Sequence, residues 1–335
     1  MNKFDEKYEI RMAKYEDIED IMEFIDKYWK KDHILARDRD FFEYEMIHDG
    51  QVNFIIARDR DSYEIVGLHG YILASKNILD GWGSIWKILP NTMCFLGLEL
   101  AKRMEIQSKT RAILAIGARE GTGSLHMKVL RKFDDVGIMK QFYCLSKREE
   151  YKIAKVEHYE EFVKNPNVEY DIIRIKTFRE FEAVFNPDIC KDSYPYKDKW
   201  YVEHRFFNHP IYNYELYGIK RNEQVEAFFV CREVEHQQTK ILRIVDYYGK
   251  IELFEGVSSF LEKKLTEYEY IDFYCYGIDY SYIKKAGMIE RTQSDTNIIP
   301  NYFAPFVQKN IDIHVGTPKG KACFFKADGD QDRPV

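Results

Sequence analysis

The chain has 335 residues, 45% of them apolar and 32% charged, with a formal net charge of −6. That is long enough for two cores of ordinary domain size and too apolar for a disordered chain. The acidic balance, without a basic patch interleaved with aromatics, excludes a general nucleic-acid binder, and no apolar run reaches the ~18 residues of a membrane span.

The N-terminus MNKFDEKYEI is charged and unlike a signal peptide. Six cysteines, at 94, 144, 190, 231, 275 and 323, show no CxxC spacing. Reduced thiols in a cytoplasmic protein are expected, and no metal.

In chain order, Tyr8 to Met12 reads as a strand and Ile18 to Trp29 as a helix, with Ile18, Ile21, Met22 and Ile25 spaced as a core-facing stripe. The segment that follows is dense in charge and aromatics. Asp38 either contacts a substrate or caps the helix carrying Phe41 and Phe42. Two strands joined by a charged hairpin come next, VNFIIARDRDSYEIVGLHGYIL. His69 lies there between two glycines. Its unperturbed pKa of ~6.5 suits a general base for an amine, and the alternative is a satisfied core histidine.

Residues 84–146 read as strand, turn, helix, strand, helix, strand. Ile85 to Leu89 is apolar and broken by Pro90-Asn91. Leu96, Leu98, Leu100 and Met104 mark a helix, Arg111 to Ile116 a strand ended by Gly117, Gly121 and Gly123, and GTGSLHMKVLRKF a second helix. A buried strand feeding a helix start offers backbone N–H groups to an anion. The alternative is a βαβ unit without a ligand.

The same order returns. TKILRIVDYYG, IELFEGVSSFLEKKLTEY, YIDFYCYGID and YSYIKKAGM replay the unit, and YDIIRIKTFREFEAVF and NYELYGIKRNEQVEAFFVCREV replay what precedes it. A repeat of this length indicates two similar domains rather than a solenoid. The expected division is 1–150, a linker at 151–168, and 169–335 with an extra tail. The expected fold is α/β, two tandem domains that each hold a mixed β-sheet flanked by helices. Residues 85–89 and 112–116 should pair in parallel, as should 241–246 and 271–275, because a helical crossover joins each pair.

In the second half, Pro210 biases His209 towards an extended backbone. Asp246 ends an apolar strand where a phosphate would be repelled, so this half is not expected to hold a phosphate-bearing cofactor in the usual way. It either supplies acceptor contacts there or caps a helix or pairs with Arg243. The tail ends KADGDQDRP, whose carboxylates lack the closing Glu of an EF-hand loop. Phe324-Phe325 would anchor it and present Asp328, Asp330 and Asp332 to a cleft between the halves. Deleting 328–335 is expected to impair acceptor use while leaving stability nearly intact.

On GSIWKILPN, TMCFLGLELAKRMEIQ and TRAILAIGARE, and on their repeat, the chain resembles the GCN5-related N-acetyltransferase (GNAT) superfamily. With IPNYFAPF and KADGDQDRP it is similar to tandem members of the bacterial surface-polysaccharide and sugar-modification type. Where the family loop reads Gln/Arg-x-x-Gly-x-Gly/Ala, Met93-Cys94-Phe95-Leu96-Gly97 keeps one glycine and no basic residue.

The resemblance implies acyl transfer from acetyl-CoA or another acyl-CoA to an amine, such as that of an amino sugar or nucleotide sugar. It places the pantetheine beside Leu89 and Asn91, and the diphosphate at Phe95, Leu96, Gly97 and Leu98. It implies His69 or Asp246 as base, Tyr143 as the acid for the thiolate, and an acceptor site bordered by His33, Asp38, His209 and the tail carboxylates. Two alternatives stay open. One is an aminoacyl-tRNA-dependent ligase of the FemABX type, and the other a non-catalytic GNAT-like binding subunit.

Overall fold

The structure is a computed structural model that describes residues 2–117, 133–317 and 322–334. The helix expected over GTGSLHMKVLRKF lies, but for Phe133, outside the described residues.

The first half runs β1 (Tyr8–Met12), α1 (Ile18–Phe24), α2 (Arg39–Met46), β2 (Phe54–Asp59), β3 (Ile65–Leu73), β4 (Asp80–Ile88), α3 (Leu96–Ser108) and β5 (Ala112–Ile116). The apolar stripe of α1 is buried as its spacing predicts. The helix then widens into a π turn over Ile25–Trp29, a local form that recurs at functional sites. Next come β6 (Asp135–Ile138) and β7 (Lys140–Leu145).

The second half repeats the order with β8 (Asp171–Ile175), α4 (Phe178–Val184), α5 (Lys199–Val202), β9 (Glu215–Arg221), β10 (Gln224–His236), β11 (Thr239–Gly249), α6 (Ser258–Lys264) and β12 (Tyr270–Tyr276). A second π turn, Glu203–Phe207, continues α5. Short strands complete the chain: β13 (Ile289–Glu290), β14 (His314–Thr317) and β15 (Phe324–Phe325).

The two sheets share one pattern. The first has the order β1-β2-β3-β4-β5-β14-β6, the second β8-β9-β10-β11-β12-β7-β13. In each, three antiparallel pairings lead to one parallel pairing across the helical crossover, Asp80–Trp82 with Ala112–Leu114 and Leu242–Ile244 with Ile271–Phe273. The second-half pairing is as expected, but in the first half β4 starts at Asp80, and residues 80–82, not 85–89, pair in parallel with β5. Gly81 and Gly83 disguise that start; a Cβ on Gly81 would stand 2.4 Å from the Ile72 carbonyl oxygen, so no larger residue fits.

The halves exchange strands. β7, from the first half, pairs with β12 in the second sheet. β14, from the tail, pairs with β5 and β6 in the first sheet. One apolar cluster accordingly runs through both halves, joining Ile18, Phe42 and Trp82 to Phe181, Phe228 and Tyr274. The charged stretch after β7 is tied down as well. Glu269, fully buried, accepts the N–H groups of Lys152, Ile153 and Ala154 at 2.7–2.9 Å.

Candidate active site

The site arises from a fault in pairing that both sheets repeat. His69 pairs with Trp86 and Tyr71 with Gly83, so Ser84 and Ile85 of β4 stand opposite Gly70 alone. The extra residue is a bulge, which bends a strand and raises its twist. From there β4 leaves β5: pairing ends at Trp82 and Leu114. In the second half Val230 pairs with Asp246 and Cys231 with Ile244, which makes Val245 the extra residue of β11. Pairing with β12 likewise ends at Ile244 and Phe273.

In the first half the parted strands border a cavity of about 490 Å³. Gly83, Ser84, Trp86 and Lys87 line it from β4, Ile113 to Ile116 from β5, and Ala101, Met104 and Glu105 from one face of α3. His69 lies on its wall with its ring stacked on Trp86, centroids 4.9 Å apart. A second cavity of about 220 Å³ adjoins it, lined among others by His33, Ile34, Leu35, Phe41, Ile72 and Tyr302. Trp29, Ser84 and Asp330 border both cavities. Trp29 is delivered by the π turn of α1, Ser84 by the bulge of β4, and Asp330 by the tail.

In the second half the tail fills the corresponding place. Phe325 and Phe324 pair with Cys275 and Tyr276 of β12, and the Ala327 N–H donates to the Val245 carbonyl at 2.7 Å. The tail thus hydrogen-bonds both strands where they no longer bond each other. It is held there by charge. Lys197 Nζ lies 2.6 Å from Asp246 Oδ1 and 2.9 Å from Asp328 Oδ1, all three buried. Burial raises the Asp246 carboxyl to about 7, against the pull of Lys197. Asp332 is bound by Arg232 at 2.6 Å, and Arg205, from the second π turn, donates to the Asp332 carbonyl at 2.5 Å. Arg333 Nε lies 2.8 Å from Glu45 Oε1 of the first half. These contacts make the tail part of the core, so deletion of 328–335 cannot leave stability intact.

Asp330 projects from this clamped tail into the junction of the two cavities. Its carboxylate is open to cavity space yet surrounded by protein, and that burial raises its pKa. Gln331 Nε2 donates to Asp330 Oδ1 at 2.9 Å, and Tyr302 Oη donates to Gln331 Oε1 at 3.1 Å. The backbone beside it is built around Gly329, at φ +56°, where a Cβ would lie 2.4 Å from Ile116. His33 accepts the Leu35 N–H on Nδ1, and burial, with Lys30 and Arg37 nearby, lowers it to about 4. It is therefore neutral at neutral pH.

Of the residues singled out from sequence, His69, His33 and Asp330 come together around these cavities. Asp38 caps α2 by accepting the Phe41 N–H. His209 accepts the N–H groups of Ile211 and Tyr212. Asp246, Asp328 and Asp332 hold the tail. Tyr143 lies on β7 in the second sheet and donates to Asp295 at 2.8 Å.

The residues expected to meet the cofactor border neither cavity. Asn91 and Phe95 are exposed at positive φ, Leu89 is partly buried, and Leu96 is buried against Tyr8 and Ile10. Gly97 packs near Ile88 and Trp86, and Leu98 follows it in the first turn of α3. Trp29, Ser84 and Trp86 carried no signal in the sequence. Only the bulge and the π turn reveal them. Among the described residues, no three His, Cys, Asp or Glu side chains converge as a metal site requires, and no helix is long and apolar enough to cross a membrane.

No protein-family model and no curated protein sequence matches the chain. Solved structures do. A GCN5-related N-acetyltransferase from Anabaena variabilis superposes with a TM-score of 0.55 at 9% identity, over 92% of this chain and 72% of that one. A probable N-acyltransferase from Enterococcus faecalis gives 0.56 at 9% identity, over 85% and 70%. The fold is that of the GNAT proteins. Within that fold the chain has two GNAT-like halves, one with an open slot between its parallel strands and one whose slot the tail occupies.

Proposed function

We propose that the chain is an N-acyltransferase that takes an acyl group from acyl-CoA held between β4 and β5 and passes it to a small amine in the adjoining cavity. The observation that carries this is the open slot of the first half, which meets a second cavity at Ser84 and Asp330. Its volume falls within the ~300–1,000 Å³ of ligand pockets. The second half supports the fit, because its slot already takes an extended amide chain, the tail, through main-chain hydrogen bonds to both strands. A pantetheine arm carries amides of the same kind.

In the overall reaction the amine nitrogen bonds to the acyl carbon, the carbon–sulfur bond breaks, and the thiolate leaves as a thiol on the second proton that the nitrogen gives up. The ammonium must first lose a proton, and Asp330 takes it. Asp330 borders the junction, and burial lifts its pKa towards that of a working base. His33, being neutral, does not repel the incoming cation. His69 and Trp86, stacked, form a rigid wall that limits how the acyl end can lie. The second half serves as the clamp that sets the position of Asp330.

The test is acetyl-CoA binding by calorimetry alongside thiol release in the presence of amines. Asp330→Asn should lower kcat by roughly 10²–10⁴-fold with acetyl-CoA affinity unchanged. Full turnover in that variant removes Asp330 as the base. No acetyl-CoA binding by the native chain removes the acyltransferase reading and favours a binding subunit.

A further inference from the structure

The second cavity narrows the acceptor to a class. We infer that the acceptor amine carries an apolar body the size of one ring, and that it is not a nucleotide-linked amino sugar. This rests on the acyl-transfer reading of the site.

Size comes first. An apolar protein cavity of ~150 Å³ holds one benzene ring. The acceptor cavity, at about 220 Å³, therefore takes a ring and a short aminoalkyl arm. A sugar joined to a nucleoside diphosphate would have to leave most of its bulk outside this cavity.

Lining chemistry points the same way. Ile34, Leu35, Phe41, Ile72 and Ile85 form an apolar wall. Several of the polar groups beside it are engaged, and the second carboxylate oxygen of Glu45 is left as a buried acceptor. Arg333 is paired with Glu45, His33 Nδ1 accepts from Leu35, and Gln331 bridges Tyr302 and Asp330. A sugar ring brings several hydroxyls, and each one left without a partner here would cost binding.

Charge completes the argument. A diphosphate seeks Arg and Lys side chains free to bind it. Of the two cations bordering this cavity, Arg333 is buried against Glu45, which leaves Lys30 at the rim as a single charge against the two of a diphosphate. Asp330, at the inner end, faces the junction, so the amine enters first and the apolar body trails against Ile34 and Leu35. The geometry thus orders the acceptor as amine, short arm, ring.

The experiment uses the full chain with saturating acetyl-CoA and three probes: 2-phenylethylamine, glucosamine and a UDP-linked amino sugar. Thiol release is measured for each. A discrimination of roughly tenfold or more in kcat/KM is expected in favour of 2-phenylethylamine. Preference for either sugar overturns the inference while leaving the acyltransferase reading intact, since acetyl-CoA would still be bound and consumed. Failure to bind acetyl-CoA in calorimetry overturns the underlying reading instead.

Two variants test the cavity itself. Leu35→Trp fills it and should raise the KM for 2-phenylethylamine about tenfold or more, with the acetyl-CoA Kd unchanged. Leu35→Ala enlarges it and should shift preference towards a bulkier ring such as tryptamine. An unchanged preference in the alanine variant overturns the placement even if the tryptophan variant fails to fold.

Discussion

Asp332→Asn should unfold the protein far more readily than Asp330→Asn, although the two residues lie two positions apart. The Asp332 side chain is fully buried, and Arg232, its partner at 2.6 Å, is 12% exposed. Burial alone would raise the Asp332 carboxyl, but Arg232 and Arg205 outweigh it and hold the group well below the usual carboxylate range. Asparagine keeps the shape and removes the charge, leaving the largely buried Arg232 without its carboxylate and Arg205 with the 332 carbonyl and Tyr214 as close partners. Breaking a buried pair on one side costs ~3–5 kcal/mol. At ~2–4 °C per kcal/mol for a chain this large, the melting temperature should fall by roughly 6–20 °C. Asp330 is exposed to the cavity, so its asparagine variant should stay within ~0.5–1 kcal/mol of the native protein while losing turnover. Thermal and denaturant unfolding of both variants, with thiol release alongside, decides the matter. A stable Asp332→Asn protein, or a larger loss for Asp330→Asn, refutes the division of the tail into clamp and reactive residue.

Calorimetry should find one acyl-CoA per chain, because the tail occupies the second slot; two equivalent sites would contradict this. Gly97→Asp should leave acyl-CoA affinity within about threefold, because Gly97 lines neither cavity. A Cβ there would meet only side-chain atoms of Ile88 at 3.3 Å and Trp86 at 3.5 Å, and a large loss of affinity would move the diphosphate to the start of α3. Stability should decline as pH falls from about 6.5 towards 4. His33 and His48 are lowered to about 4, His204 to about 3 and His209 to about 2, in each case by burial first. Their folded pKa values lie below the unfolded ~6.5, so the unfolded chain binds protons that the native protein refuses. The raised carboxyls of Asp246, Asp328 and Asp330 act in the opposite sense. At least one proton stays unbalanced, worth ~1.4 kcal/mol per pH unit. Denaturation midpoints that hold level or rise across this window would refute it.

Much of the fold was legible because it is local and repeated. Strand and helix patterns of order eight residues, each followed by a breaker, recur in the same sequence of elements, and a crossover helix obliges the flanking strands to be parallel. What stayed hidden is set by partners far along the chain. β4 was cut short by its glycines, whose purpose is a close approach from β3. The exchange of β7 and β14 leaves no mark in either strand, since both read as ordinary apolar segments. The ending KADGDQDRP looks like a solvated acidic turn until Lys197, Arg205 and Arg232, 100 to 131 residues away, are folded against it. In the site, His69, His33 and Asp330 could be nominated by residue type. The cofactor contacts could not, because the family-like loop at 93–97 suggested a helix start, whereas the slot opens further back along β4.

The exchanged strands also bear on synthesis. The first sheet needs residues 314–317 before β5 and β6 can be bridged, and the cavity junction needs Asp330. Domains ordinarily fold as they emerge from the ribosome, the N-terminal one first. Here the first sheet lacks its bridging strand until residues 314–317 have been made. A chain cut before residue 314 would therefore leave β5 and β6 unbridged, and one cut before residue 330 would lack the carboxylate that borders both cavities.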